Sequence, residues 1–496
     1  MKKSLILIIL IISICQARAQ SLFYRSSEIA DATIQCSLAD GEGLLLGGGL
    51  GDLPSKNYDP FIARIYPNGE VVEYKFEVAN STSSWVMTIE KLQSGNFFIS
   101  GFVGDHYGNE DTWIAELNPK MQVIWSNRFG NALGIEFPWA MIRDSSGTHS
   151  GAGYYFTTTG DLNAYVFRVA SNGDSLIERR FWHPGIQQVL DFDAVPNSSN
   201  YIMTTNRFPD SSDGNANDEF VWLDQDLNII KVDTSTTPFD AWASLAFIND
   251  SIFIFSGNTR DSFYVWNDEA TALGFEIVNI NTNHRIKKSF GARHVVDYPA
   301  INSLAVTESN AFWVTGTKDY HYYCYSSQNV ICDKPSFITT FKFDFQGDSL
   351  THVEYGGDAN YSVLTTCPGL DGSFWIAGAM YDPAIDSTQE CDYFVMHLDS
   401  LGRVMLPDTV TPPSPPIASG ISIYPNPFSN RLLIHNGDHD LLDVQLYDAQ
   451  GRLVLRGQVG RGDSELDGST LADGFYVYRM SAEAAHHVKS GRLVKR

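Results

Sequence analysis

The stretch Gly95-Asn96-Phe97-Phe98-Ile99-Ser100-Gly101 leads through a polar loop into Asp111-Thr112-Trp113-Ile114-Ala115-Glu116-Leu117 and, past a turn, into Val123-Ile124-Trp125. Each segment is rich in strand-forming residues and ends in turn formers, so three short strands and their joints are legible. The pattern recurs along the chain. The start of the second segment is matched at Asp59, Asp111, Asn163, Asp218, Leu273, Phe337 and Asp392, in steps of 52, 52, 55, 55, 64 and 55. The glycine closing the first is matched by Gly48, Gly101, Gly153, Asn206, Gly257, Gly316 and Gly378. Two series that stay in phase mark an internal repeat of about 50 residues.

A further apolar segment precedes each glycine-terminated strand, as in Trp85-Val86-Met87-Thr88-Ile89, Trp139-Ala140-Met141-Ile142 and Trp242-Ala243-Ser244-Leu245. Each copy therefore carries four strands. A four-stranded sheet cannot bury both faces alone, so the copies must stack, and this period is that of a propeller rather than of helical repeats of ~33 to 47 residues. The expected fold is all-β, a seven-bladed β-propeller over residues 20–406. Residues 27–406 resemble the broad class of secreted bacterial propeller repeats, in which an Asp-x-aromatic strand and an Asn-Gly or Asp-Gly turn recur; Leu273 and Phe337 replace the Asp in two copies. Asn68-Gly69, Asn172-Gly173 and Gly402 fall where strands reverse and positive φ is favoured. The recurring Asp is expected to cap a loop by accepting backbone N–H bonds. Ser21-Leu22-Phe23-Tyr24-Arg25 aligns with a fourth strand and is expected to pair with Tyr393-Phe394-Val395-Met396-His397-Leu398, hiding both edges.

At the N-terminus Lys2 and Lys3 precede an apolar run from Leu5 to Ile12, followed by Ala17-Arg18-Ala19. That is the form of a signal peptide over residues 1–19, and the run is too short to span a bilayer. A lipoprotein alternative rests on Cys15, but Ile14 sits where lipid attachment wants a small residue. An aromatic content of 13%, 40 Gly and a charged fraction of 19% agree with an exported β protein without helices of consequence. The net charge of -24 argues against nucleic acid or an anionic membrane as partner, because no basic patch is available to release counterions. Of the six cysteines, five remain beyond Cys15, an odd number.

The stretch between second and third strands grows from about nine residues around Ser55-Lys56-Asn57 to about twenty between Gly316 and Phe337, which elaborates one face. The longest such loop holds Tyr320, His321, Tyr322, Tyr323 and Tyr325, and its neighbours contribute Tyr264, Trp266 and Tyr381. Rings of this kind suit a glycan or protein ligand, or pack the loop onto its own blade. Cys324 and Cys332 lie in the same loop, where a disulfide would tie it down, and Cys36 and Cys367 occupy equivalent positions at the ring seam. Asp210, Asp213 and Asp218 offer hard oxygen ligands to calcium, although their spacing does not fit the EF-hand template; no other cofactor is expected. The sequence holds no Gly-x-Ser-x-Gly, His-Glu-x-x-His, Walker or Cys-x-x-Cys motif. Carboxylates are plentiful enough for a glycosidase pair across a funnel.

Pro407-Asp408-Thr409-Val410-Thr411-Pro412-Pro413-Ser414-Pro415-Pro416 opens a proline-rich linker over residues 407–420. Beyond it come Tyr424-Pro425-Asn426-Pro427-Phe428, then Leu446 to Arg452 around Gly451, then Leu471 to Arg479 with Gly474 and Tyr476, and finally Gly491-Arg492-Leu493-Val494-Lys495. The alternation in Leu432-Leu433-Ile434 and Val444-Gln445-Leu446-Tyr447 indicates a small β-sandwich. In order and spacing, residues 421–496 resemble the type A C-terminal sorting domain of type IX secretion, the Por secretion tail. The resemblance implies partnership with the type IX secretion machinery and passage through the periplasm to the outer cell surface or beyond. Arg461-Gly462-Asp463 is read as a turn between strands rather than an integrin motif. Two functions are carried forward: a secreted or surface-attached binding and adhesion propeller for glycan or protein, or a hydrolase acting on polysaccharide or peptide with carboxylates in its funnel.

Overall fold

The computed structural model describes residues 24–26, 31–52, 57–78, 81–104, 110–130, 135–143, 147–156, 162–181, 186–208, 217–235, 243–260, 271–290, 297–308, 310–320, 335–382, 391–407, 421–424, 428–448, 452–472, 474–482 and 485–495. All regular structure among them is β, and the chain divides into two compact units, residues 1–408 and 409–496.

In the first unit the strands fall into antiparallel meanders of four, over residues 31–75, 83–129, 135–180, 186–234, 244–290 and 298–356. A last meander, residues 360–398, has three strands of its own and takes its fourth from Tyr24–Arg25, with Tyr24 opposite Val395 and Arg25 opposite Phe394. These are called sheets one to seven below. The first strand of every sheet neighbours the first strand of the next, and that of sheet seven neighbours that of sheet one, so the circuit closes on itself. Ser26 locks the seam: its hydroxyl donates to Asp392 at 3.2 Å and accepts the Tyr393 amide at 3.0 Å.

The core follows from strand alternation. In sheet one Leu44, Leu46 and Ala63 face the layer shared with sheet seven, while Leu45 and Ile62 face the layer shared with sheet two. A separate apolar cluster fills each successive junction, from Phe98, Ile114, Tyr165 and Phe167 between sheets two and three to Trp313, Phe374 and Phe394 between six and seven. Each strand of this kind is apolar on both faces, and burying each large side chain contributes roughly 1.5–3 kcal/mol. Fourth strands, such as Val123–Phe129 and Ile229–Thr234, are mostly exposed and form the rim.

One expectation changes in detail. The recurring glycine does not end its strand: Gly101 lies in the middle of Phe97–Gly104. Its partner strand has a β-bulge there, with register breaks at Ile34/Cys36, Val86/Thr88, Pro138/Ala140 and Val363/Thr365 opposite Gly48, Gly101, Gly153 and Gly378. Asp111 pairs with Arg128 at 2.5 Å, and at the turn into the fourth strand loop amides are accepted by Asn118, Asp224, Asp344 and Asp399. At that turn Gly69, Met121, Gly173, Leu227, Gly347 and Gly402 hold positive φ. Met121 and Leu227 are not glycines, and their burial offsets the roughly 1–2 kcal/mol the backbone conformation costs.

In the second unit five strands pair into one sheet, with Arg431–Asp448 hydrogen-bonded to Ile421–Tyr424, Leu453–Asp467 and Gly474–Ala482, and Ala485–Lys495 at its edge. The register breaks between Asn436 and Leu441, so the two predicted short strands are halves of one long strand. Leu432, Ile434, Val444, Leu446, Tyr476, Tyr478 and Leu493 share its core.

Candidate binding site

In every sheet the first strand begins, the second ends and the third begins at the same end of the ring. Sheet two shows the arrangement: Ser83 pairs with Gly104, which pairs with Glu110. The longer connections leave from this end.

A run of aromatic rings crosses it through sheets one to three. Tyr58 meets Trp85 edge-on at 5.3 Å, Trp85 lies 5.7 Å from Phe102, and Phe102 stands edge-on to Phe137 at 4.7 Å. Phe137 contacts Tyr154 at 5.1 Å and Phe156 at 6.4 Å, and Tyr154 is perpendicular to Phe156 at 6.0 Å. Strand register produces the run, because Trp85 is opposite Phe102, Phe137 opposite Tyr154 and Ile135 opposite Phe156. Tyr58 and Phe102 are buried, whereas Trp85, Phe137, Tyr154 and Phe156 are half-buried.

Glu110 borders these rings. It sits beside Ile135 through a parallel bridge between sheets two and three, and Phe156 flanks Ile135 on the other side. Its side chain lies over Gly104, where a Cβ would come within 3.0 Å of the Glu110 Cγ. The Glu110 Oε2 and the Trp85 indole N–H are both buried with no partner among the described residues. Burial alone pushes the Glu110 carboxyl up to about 7, and its charge adds to the burial that raises the Tyr154 phenol.

The ring axis is filled at the level of the bulges. Trp139, the extra residue on the first strand of sheet three, packs against the cluster between sheets seven and one, and Ile301 and Leu364 belong to that cluster. The Trp139 indole donates to the Leu190 carbonyl at 2.9 Å, and Asn302 reaches the Gln35 carbonyl at 3.5 Å. Asp191 accepts from the Leu245 amide of sheet five at 2.6 Å and from Phe192 at 2.8 Å. It is half-buried yet walled in by protein, so desolvation raises it to about 7; Asp193, bonded to the Ala194 amide, is raised to about 6 for the same reason.

Of the aromatic residues singled out in the sequence, Tyr320 is buried after the Ala311–Lys318 strand and Tyr381 is half-buried at the end of Phe374–Tyr381. Tyr264, Trp266, His321, Tyr322, Tyr323 and Tyr325 lie outside the described residues, as do Cys324, Cys332, Asp210 and Asp213. Asp218 is buried at the start of its strand, opposite Asn206. Cys36 and Cys367 are free, not bridged across the seam. The bulge at Gln35 reverses the alternation, so Cys36 faces the layer toward sheet two while Cys367 faces the layer between seven and one. Glu110 escaped the reading of the sequence. A signal was available: the residue before each Asp-type marker is Tyr58, Glu110, Leu162, Asn217, Ala272, Ser336 or Cys391, and Glu110 is the one acid among them.

In the second unit the sorting-motif residues converge. Lys495 is buried and its ammonium donates to the carbonyls of Leu471 at 2.5 Å and Ser469 at 3.3 Å. The Tyr476 hydroxyl donates to Ala472 at 2.5 Å, and Phe428, whose amide bonds Val494 at 2.8 Å, fills the space above Gly468. Gly491 is opposite Tyr478, Tyr424 opposite Leu433, and Gly474 has a φ of 154°. Pro425, Asn426, Pro427 and Gly451 lie outside the described residues.

Residues 422–495 match the family described as the secretion system C-terminal sorting domain. No curated protein matches the chain. Among solved structures, the BP39L lectin from Burkholderia pseudomallei is 11% identical with a TM-score of 0.47, covering 78% of this chain and 99% of its own. An apocarotenoid oxygenase from Synechocystis is 12% identical with a TM-score of 0.43, covering 77% and 91%. A subtype N10 neuraminidase-like protein of A/little yellow-shouldered bat/Guatemala/060/2010 is 8% identical with a TM-score of 0.35, covering 62% and 94%. The tail marks the chain for export by type IX secretion to the cell surface or the extracellular space.

Proposed function

We propose that this chain is an exported binding module, a seven-bladed propeller that holds a glycan or protein ligand at the loop-bearing end of its ring. One observation carries the reading: half-buried rings at Trp85, Phe137, Tyr154 and Phe156 lie beside a buried Glu110 oxygen and indole N–H left unpaired among the described residues. Aromatic faces with a few convergent polar groups are the usual make-up of a ligand pocket. A hydrolase with its carboxylates in the funnel is the weaker reading, because Trp139, Ile301 and Leu364 occupy the axis and Asp191 is engaged by two backbone amides. The calcium and loop-disulfide expectations stay with this proposal as features of the longer loops. The test is a glycan and surface-protein array probed with the purified protein, run beside a hydrolysis screen on the same ligands. Retention that Phe137→Ala abolishes, without turnover, is the expected outcome; turnover that survives Phe137→Ala overturns it.

A further inference from the structure

We propose that the corner formed by Phe137, Tyr154, Phe156 and Glu110 recognises an alkylated ammonium group, an inference that rests on the binding reading above. Phe156 is perpendicular to Tyr154, at 86°, and steeply inclined to Phe137, at 76°, so the three rings make walls rather than the flat platform that suits a sugar face. Ring faces carry negative electrostatic potential and attract a cation, most strongly where water is excluded. Across Ile135 from Phe156 stands the Glu110 carboxylate, whose buried Oε2 has no hydrogen-bond or ion-pair partner among the described residues. The nearby cations are spent elsewhere: Arg128 pairs with Asp111, and Arg180 pairs with Glu136 and lies over Tyr155. A buried carboxylate without a counter-charge is costly, and a cationic ligand entering this corner supplies what the protein leaves out. An ammonium carrying methyl groups also gives the rings an apolar surface that a bare ammonium lacks.

Choline and its uncharged carbon isostere, 3,3-dimethylbutan-1-ol, are the probes, titrated by calorimetry and by the fluorescence of the protein at pH 8. Choline is expected to bind at least about tenfold more tightly than the isostere, as a cation–π contact with a counter-ion requires. Glu110→Gln is expected to remove that preference while leaving the folded state intact, and Phe156→Leu to weaken choline alone. Phosphatidylcholine vesicles run as a separate arm: retention on them with no binding of free choline assigns the group to a lipid headgroup. Equal binding of choline and isostere, or choline binding unchanged in Glu110→Gln, overturns the assignment. If neither choline nor vesicles bind but an arrayed glycan or protein does so through Phe137, the cation assignment fails and the binding reading stands. If nothing binds, both fall.

Discussion

Gly101 lies directly under the Trp85 carbonyl: a Cβ built on it would stand 1.8 Å from that oxygen. The same clash recurs between Gly48 and Thr33, Gly153 and Phe137, and Gly378 and Ser362, at 1.8, 1.9 and 2.0 Å. The bulge brings the first strand this close to the second, so the repeat glycine is a packing requirement of the inner ring. Gly101→Ala is expected to destabilise the first unit by at least about 3 kcal/mol in urea unfolding, because neither backbone can yield alone. Gly95→Ala, where no atom lies within 4 Å and only the φ of 84° is strained, should lose no more than about 2 kcal/mol. Equal losses would remove the packing argument.

The seam predicts a second result. Ser26→Ala removes an acceptor for the Tyr393 amide and a donor to Asp392, both buried, and is expected to lower stability by about 1–3 kcal/mol. Deleting residues up to Ser26 should lower the melting temperature further and promote association through the bared edge of Asp392–Leu398, which light scattering will register. An unchanged, monodisperse deletion variant would show that the pairing contributes nothing.

Three carboxyls fix the direction of a pH response. Glu110, Asp191 and Asp193 bind protons more tightly folded than unfolded, with folded values of about 7, 7 and 6 against ordinary values of 4.5, 3.8 and 3.8. Their stabilising contribution is therefore complete below the unfolded values and is lost as pH rises through the folded ones. Unfolding free energy should fall between pH 5 and pH 8, and Glu110→Gln should recover about 1–3 kcal/mol of it at pH 8. A urea midpoint that Glu110→Gln leaves unmoved at pH 8 would contradict this.

The buried Lys495 predicts a coupling between fold and export. Lys495→Met keeps the stem and deletes the hydrogen bonds to Leu471 and Ser469, with an expected loss of about 2–4 kcal/mol from the second unit. The variant should be retained in the periplasm at a higher fraction than the parent chain, measured by fractionation. Lys495→Arg, which keeps charge and donors, should restore part of the export.

The free cysteines give a chemical check. Burial pushes the Cys36 thiol far up and Cys367 to about 11, so neither is a thiolate at pH 8. Alkylated-peptide mapping of the native protein should leave both unmodified, and denaturation should expose both. A Cys36–Cys367 disulfide in that map would contradict the geometry of the bulge.

Much of this architecture can be read before any coordinates, for a definite physical reason. In sheets one, two, three, six and seven the Asp-type marker pairs with the residue two past the glycine-type one, as in Leu50 opposite Asp59 and Met380 opposite Asp392, so a repeat in the sequence is there a repeat of hydrogen bonding; in sheet four Asn206 faces Asp218 directly. The seam was equally visible, since Tyr24 completes a motif that otherwise lacks a strand. What the glycine does was not visible. A bulge depends on the partner strand, so Gly101 alone looks like a strand end. The site was hidden for a related reason: Phe137 and Tyr154 meet through register across 17 positions, and Glu110 reaches Ile135 only by the bridge between sheets. Trp85 and Trp139 were legible as core positions, but only the bulge separates a ring at the loop-bearing end from one on the axis.

The strand completing sheet seven precedes every other described strand of the ring, and its partner lies 367 positions later, from Ser26 to Tyr393. Joining ends so far apart costs about 5 kcal/mol in loop closure, repaid only when the final sheet is in place. A chain threaded through a membrane from its N-terminus must therefore carry an unfinished ring until residue 398 has emerged. Its last folding step should be slow and leave a window for proteases.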